Sequence, residues 1–431
     1  MVPGRLASTV LWLTDGRSTG PDRSPGWLLC QFKRLGYHAG VDRILALSRS
    51  FAGNPCSPLP MIYGLPRSCF VCPELYQREQ ARIFGRTWIC CGRVPGQDAA
   101  PAADAPWTQV CLAGHSVIVV RDPDRGVRAY HNVCRHRGTR LLEEGSGTLK
   151  NGCITCPYHA WTFDTAGRLV GAPNMQGVTD FNREEHGLLP VRCATWGGYV
   201  FLCLDDEAPA FETFASPLSA RLENWQVGNL QLAGRCTYDV QANWKLLFQN
   251  YSECYHCPTV HPDLNQVTPF RTATNDLGEG PILGGPMGLA DGFHTVTRDG
   301  SPVGRPFGHL SELQQRSVFY YTVFPGMFVS AHPDYVMIHH IQPQGVGQSR
   351  VVCEFLTDAG TDPADARPAI EMWDEVNRQD WRVCELTQQG AQSPAFRPGP
   401  YSGLEPMLAA FDRHYRHVMD LPEATGEATA P

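Results

Sequence analysis

Two short hooks of cysteine and histidine stand out in this sequence. One is Cys134-Arg-His136 and the other is Cys156-Pro-Tyr-His159, with 19 residues between His136 and Cys156. Structural zinc accepts two cysteines and two histidines, but its usual spacing pairs cysteine with cysteine and histidine with histidine. Here each hook is mixed. A two-iron, two-sulfur cluster held by two thiolates on one iron and two imidazoles on the other fits better, because each hook then gives one ligand to each iron. Neutral imidazoles in place of thiolates remove negative charge and raise the reduction potential. Gly138 allows a tight turn beside the first hook, and Pro157 stiffens the second.

Such a cluster moves one electron at a time, so a second centre should do the chemistry. The stretch NYSECYHCPTVH, residues 250–261, supplies one. On a helix opening after Asn243, residues Asn250, Glu253 and His256 fall at i, i+3 and i+6 and share a polar line. Trp244, Phe248, Tyr251 and Tyr255 share an aromatic line opposite it. His261 follows after Pro258. Two imidazoles and one carboxylate bind non-haem iron(II) on one face and leave positions open for O2. The carboxylate is expected from a long C-terminal helix, where Trp373, Val376, Asp380, Val383 and Thr387 define one face. Asp380 is the charged member of that apolar stripe, and a buried carboxylate should meet a cation. Asp374, beside Glu375 on a polar face, is the runner-up. Two C-x-x-C pairs, Cys153 with Cys156 and Cys254 with Cys257, lack a second matching half. Cys153, Cys254, Cys257, Cys69 and Cys72 are read as ordinary buried thiols.

The elements that must position these groups can be traced along the chain. Residues 1–64 read as an extension rich in Gly, Ser, Arg and Pro, without clear periodicity and dispensable for the fold. PELYQREQARIFGRTW, from Pro73, has a helical pattern with Leu75, Ala81, Ile83 and Phe84 apolar. SVIVVRD, VRAYHNV and GGYVFLCLD read as strands, so residues 65–205 form a helix plus a small all-β domain with the hooks in its loops. In residues 206–431, SVFYYTVFPGMFVSA, YVMIHHIQP and SRVVCEFLTD read as consecutive antiparallel strands. A long helix over DARPAIEMWDEVNRQDWRVCELTQQGAQS follows, with Gly390 expected just past its end. The fold class is α+β.

The 431 residues suit two domains, and the net charge of -7 without a basic run argues against nucleic acid. No segment reaches the ~18 apolar residues of a membrane span. Seventeen scattered cysteines, an odd number, fit a reducing cytoplasmic setting better than a disulfide scaffold. No strand–G-x-G-x-x-G–helix unit is present for a dinucleotide.

CRHRG and CPYHAW are similar to the loop signatures of Rieske proteins, and with the second centre the chain resembles the catalytic α subunit of the Rieske non-haem iron oxygenases over residues ~65–415. The resemblance assigns Cys134 and Cys156 to one iron of a [2Fe-2S] cluster, and His136 and His159 to the other. The spacing between hooks is slightly long for the family and implies a longer intervening loop. It also implies a helix-grip catalytic domain and a homotrimer. Glu253 would then bridge His159 of a neighbouring subunit to His256 at the mononuclear iron. Glu253 within ECYHC, with HPDYVMIHHIQP and YYTVFPGMF, resembles the branch acting on choline, carnitine, glycine betaine and proline betaine. The spacing from Asn250 to His256 is one residue shorter than in aromatic-ring dioxygenases. The expected activity is monooxygenation, most simply N-demethylation of a quaternary ammonium compound such as glycine betaine. NADH or NADPH would supply electrons through a separate flavin and ferredoxin-type reductase. Hydroxylation of an aromatic ring or acid, and plain electron carriage by the Rieske domain, are the alternatives. A methylammonium site needs aromatic faces, and Phe319, Tyr320, Tyr321, Phe324, Phe328 and Tyr335 are on offer.

Overall fold

The computed structural model describes residues 61–98, 105–122, 124 and 126–422. All but the last four residues of the extension read over 1–64 lie outside the described residues.

The segment from Pro73 folds as α1 (Pro73–Glu79) and continues as a π turn over Gln80–Phe84. Leu75, Ile83 and Phe84 are buried, but Ala81 is exposed and Glu79 is fully buried in its place. The helix precedes the β domain in sequence, yet Phe84 packs edge-on against Trp244, with ring centroids 5.4 Å apart.

Ten strands follow: β1 (Ile89–Arg93), β2 (Pro106–Leu112), β3 (His115–Asp122), β4 (Gly126–His131), β5 (Ser146–Thr148), β6 (Cys153–Thr155), β7 (Thr162–Asp164), β8 (Leu169–Gly171), β9 (Pro190–Trp196) and β10 (Tyr199–Cys203). Among the described residues they make one sheet in the order β1-β10-β9-β4-β3-β2-β5 and a small one in the order β6-β7-β8. β3 is buried on both faces. Val117 and Val119 join a core with Val200 and Leu202, while Ile118 and Val120 pack with Ile154, Trp161 and Phe163. The second group also contains Cys134 and Cys156, so the floor beneath the hooks is the outer face of β3.

After α2 (Phe211–Leu222) comes the second half of the chain. Its strands are β11 (Gln231–Val240), β12 (Ile282–Gly288), β13 (Ser317–Val323), β14 (Met327–Ala331), β15 (Tyr335–Gly345) and β16 (Gln348–Thr357). They form an antiparallel sheet in the order β11-β16-β15-β14-β13-β12. Gly284 of β12 has φ +138, and a Cβ there would sit 2.0 Å from the Tyr320 carbonyl oxygen, so only glycine lets β12 close on β13.

The sheet holds α6 (Arg367–Gln392), numbered after α3 (Trp244–Tyr251), α4 (Cys257–Val260) and α5 (Pro262–Val267). Trp373 donates its indole N–H to the Tyr335 hydroxyl at 2.7 Å, and Asn377 meets His339 at 3.1 Å, fixing α6 on β15. Each fully buried large apolar side chain of α6, such as Met372 or Val376, contributes about 1.5–3 kcal/mol. Gly390 does not end the helix, which runs on to Gln392. The architecture is α+β with a long helix gripped by an antiparallel sheet.

α7 (Pro406–Met419) closes the assembly through a buried ion pair. Lys245 of α3 and Glu79 of α1 are both fully buried, 2.6 Å apart. Trp244 and Tyr415 also donate to the Glu79 carboxylate, at 2.9 and 2.6 Å. Burial lowers the Lys245 pKa, and Glu79 opposes that shift. A pair this dry holds only because both carboxylate oxygens are hydrogen-bonded. It ties three helices together.

Candidate metal centres and active-site cleft

The two hooks are the same loop made twice. In the first, Gly138 N donates to Cys134 O at 3.0 Å and Cys134 N donates to Thr139 O at 2.8 Å. In the second, Ala160 N donates to Cys156 O at 3.1 Å and Cys156 N donates to Trp161 O at 2.8 Å. Both loops need a left-handed residue at the same place, Gly138 with φ 74 and Ala160 with φ 55. Cys134 and Cys156 are both buried, and burial raises the Cys134 pKa. His136 is exposed and His159 half-buried, with ring centroids 4.7 Å apart. His136 stacks on Trp161 at 4.9 Å, and Tyr158 covers His159 at 3.7 Å. Sulfur donors inside and nitrogen donors at the tip match a two-iron cluster with unlike ends, and do not match a tetrahedral zinc site.

The second centre is assembled from segments more than a hundred residues apart. Among the described residues, His256, His261 and Asp380 form a group whose ligand atoms all lie within 4.8 Å of one another. Asp380 Oδ1 is 2.7 Å from His261 Nε2 and 3.3 Å from His256 Nε2. Asn250 donates to the same oxygen at 3.0 Å. The outer nitrogen of each imidazole is held as well: His256 Nδ1 by Glu253 at 2.6 Å, and His261 Nδ1 by Gln379 at 2.6 Å. Those contacts leave Nε2 of both rings aimed at Asp380, as a two-histidine, one-carboxylate iron site requires. Burial disfavours a charged His256, but hydrogen bonds to Asp380 and Glu253 outweigh it and raise its pKa to about 10. Burial likewise raises Asp380, and the two imidazoles overcome it to bring its pKa to about 2. Positive charge is strongly favoured at this point, which suits a divalent cation.

The predicted single helix through residue 256 does not form. α3 ends at Tyr251, and Ser252 turns its hydroxyl back onto Phe248 O at 2.6 Å. Pro258 would clash with the Cys254 carbonyl in a helix continuous with α4, but α3 stops earlier, at Tyr251. Asn243 does cap α3, accepting from Lys245 N at 3.0 Å. Glu253 and His256 therefore stand on a turn. There the Glu253 carboxylate accepts from the backbone N–H of Tyr255 and of His256. Tyr255 leaves the expected aromatic line and is 54% exposed. Cys254 and Cys257 are not free thiols but form a disulfide on this turn, across His256. Cys72 and Cys153 are half-buried, while Cys69 is buried. Asp374 takes no part in the group. It accepts from Tyr238 at 2.8 Å and pairs with Arg378 at 2.9 Å. On α6 the buried stripe drifts from Val383 and Thr387 to Cys384 and Gln388, leaving Thr387 exposed. Gln379 was missed, because nothing in its type or spacing separates it from other surface-compatible residues of α6.

A cleft with a cavity of about 130 Å³ opens beside the triad. Its inner wall carries Tyr251, Tyr320 and Trp373, the last two with ring centroids 6.4 Å apart at 66°. Of the six strand aromatics put forward from the sequence, Tyr320 alone lines this cleft. Phe319 and Tyr321 point to the opposite face of β13, as strand alternation demands, into a core with Trp225 and Val329.

Comparison with known proteins agrees with both centres. Residues 96–182 match the Rieske [2Fe-2S] domain, and residues 227–421 match the ring hydroxylating α subunit catalytic domain. The glycine betaine monooxygenase oxygenase subunit of Pseudomonas aeruginosa is 30% identical over 375 residues, covering 79% of this chain and 85% of the relative. The carnitine monooxygenase oxygenase subunit of Escherichia coli is 36% identical over 218 residues, 50% of this chain and 56% of the relative. Among solved structures, the quaternary ammonium Rieske monooxygenase CntA with L-carnitine superposes with a TM-score of 0.66 at 24% identity, covering 84% of this chain and 99% of CntA. Naphthalene 1,2-dioxygenase of Rhodococcus sp. shares the fold, with a TM-score of 0.66 at 19% identity over 83% of this chain and 94% of that one. The chain belongs to the Rieske non-haem iron oxygenases, as an oxidoreductase with a Rieske [2Fe-2S] cluster and a mononuclear iron, on the branch that holds the oxygenase subunits of glycine betaine and carnitine monooxygenases.

Proposed function

We propose that this protein removes an N-methyl group from a quaternary ammonium compound. The observation that carries this reading is the aromatic wall of Tyr320 and Trp373 beside the His256, His261 and Asp380 group. A methylammonium ion is attracted to such ring faces. The relatives named for glycine betaine and carnitine point the same way.

When bound, the cluster would supply single electrons and the iron would supply O2 activation. In the balanced reaction, the trimethylammonium, O2, two electrons and two protons give the hydroxymethyl dimethylammonium and water. The hydroxymethyl group then leaves as formaldehyde with release of a proton, and a tertiary amine remains. The chain's own residues serve this in distinct ways. Cys134, Cys156, His136 and His159 hold the cluster, and His256, His261 and Asp380 hold the iron. Glu253 and Gln379 keep a proton on each outer imidazole nitrogen, leaving Nε2 as the ligand. Asn250 fixes the Asp380 oxygen. Trp373 and Tyr320 orient the ammonium group.

Electrons reach the cluster from a separate reductase, ultimately from NADH or NADPH. The transfer from cluster to iron is proposed to cross a subunit interface within a homotrimer, with Glu253 meeting His159 of the partner subunit. Surface placement supports this: His136 is exposed, and so is Tyr255 beside Glu253. The test is incubation of the reconstituted protein and a surrogate reductase with a substrate panel, reading formaldehyde and O2 uptake. Hydroxylation of aromatic acids without formaldehyde from any ammonium compound would replace this reading.

A further inference from the structure

We infer that the cleft prefers N-methylammonium ions with a neutral tail over those with a carboxylate close to the nitrogen. This narrows the N-demethylation reading above and rests on it.

The first observation is the charge of the lining. Among the described residues that line the cleft there are two carboxylates, Glu253 and Asp380, and no lysine or arginine. Both carboxylates are already committed to the imidazoles of the iron site. A divalent iron held by the triad would bring the formal charge of the lining to zero, so no surplus cation is left for an anionic tail. The second observation is where polar and apolar groups lie. Trp373 and Thr322 are buried, whereas Thr274 and Asn275 form the exposed rim. Leu283 and Met287, both buried, also line the cleft. If a methyl group faces the triad and the ammonium faces the aromatic rings, the rest of a short tail lies among such buried side chains. A terminal group one methylene from the nitrogen shares those buried surroundings and cannot reach water at the rim. A carboxylate there loses its hydration and gains no counter-charge. A hydroxyl needs a single partner, and the hydroxyls of Thr268 and Thr322 are of the right kind.

Choline and glycine betaine make the matched test, because they differ at the tail end alone. The neutral carbon isostere of choline tests the ammonium contact. Dissociation constants come from calorimetry on the full-length, iron-loaded protein without O2, and turnover from formaldehyde. Choline is expected to bind about tenfold or more tightly than glycine betaine, ~1.4 kcal/mol, and also more tightly than its neutral isostere. Trp373→Leu should narrow the gap between choline and the isostere. Tyr320→Leu serves the same purpose, with an intact cluster spectrum as the check on folding. Glycine betaine binding as tightly as choline, or being turned over in preference to it, overturns the inference while leaving N-demethylation standing. Formaldehyde from neither, with an aromatic acid hydroxylated instead, removes both.

Discussion

The two metal-binding regions are built by opposite strategies. The hooks are local: each loop closes on itself with the same two backbone hydrogen bonds, and the sheet beneath supplies a floor. The triad is non-local. His256 comes from the turn after α3, His261 from the junction of α4 and α5, and the aspartate comes from α6, more than a hundred residues later. The first region places its imidazoles at the surface, where electrons can enter. The second encloses its donors beside a cleft, where a substrate can be held away from water. A local site tolerates disturbance elsewhere in the fold, while a non-local site depends on how helices dock.

The largest test of this contrast is Asp380→Ala. It should empty the mononuclear site, abolish turnover and leave the visible spectrum of the cluster unchanged. Asp374→Ala removes a partly exposed pair with Arg378 and a bond from Tyr238, and should retain full iron at a cost of about 1 kcal/mol or less. Metal analysis that ranks the two variants the other way would show that Asp374, not Asp380, is the ligand.

Glu79→Gln strikes the docking of α1, α3 and α7 without touching either metal. It leaves Lys245 buried without a counter-charge and should cost about 3–5 kcal/mol in denaturant unfolding. If the contrast holds, mononuclear iron is lost at lower denaturant than the cluster colour. Loss of both together would mean that the hooks depend on the same docking.

Glu253→Gln keeps its size but weakens the bond to His256. The expected result is normal content of both metals and a ~10–100-fold slower oxidation of pre-reduced cluster in single turnover, in line with other partners of metal-bound imidazoles. Wild-type rates would remove Glu253 from the path between the centres.

The docking region also carries a pH dependence. Burial raises the Asp412 carboxyl to about 7, against donation from Tyr401 and Gln249. Its pKa is therefore higher folded than unfolded. The stability tied to its proton is complete below about pH 4 and is lost as pH rises through about 7. Asp412→Asn should flatten that part of the stability profile, measured as unfolding midpoint against pH. An unchanged slope would place the titrating group elsewhere.

The smallest effect lies in the hooks. Gly138→Ala puts a Cβ on a left-handed residue with nothing within 4 Å, so its cost of about 1–2 kcal/mol should be purely conformational. Ala160→Gly relieves the same conformation in the second hook. Because glycine also frees the unfolded chain, the net change should stay within about 1 kcal/mol. Thermal bleaching of the cluster reads both.

The sequence by itself determined what is local. The mixed Cys/His hooks, the cap at Asn243 and the strand runs such as SVIVVRD are short-range patterns, and the structure carries the strands and the cap where those patterns lie. SVFYYTVFPGMFVSA, read as one strand, folds as the antiparallel pair β13 and β14, and elsewhere periodicity misplaced elements where a competing local rule acted. A turn in which the Glu253 carboxylate takes the N–H groups of Tyr255 and His256 replaces the helical path that the Asn250, Glu253 and His256 spacing suggested, and the drift of a 3.6-residue helix moves the buried face of α6 off Val383 and Thr387. Tertiary structure alone decided that Gln379 rather than a carboxylate holds His261, that Glu79 and Lys245 meet in the core, and that Trp373 and Tyr320 form one wall. Each of those joins residues tens to hundreds of positions apart. Their meeting depends on how α6 settles across the sheet, a matter of packing that no spacing along the chain encodes.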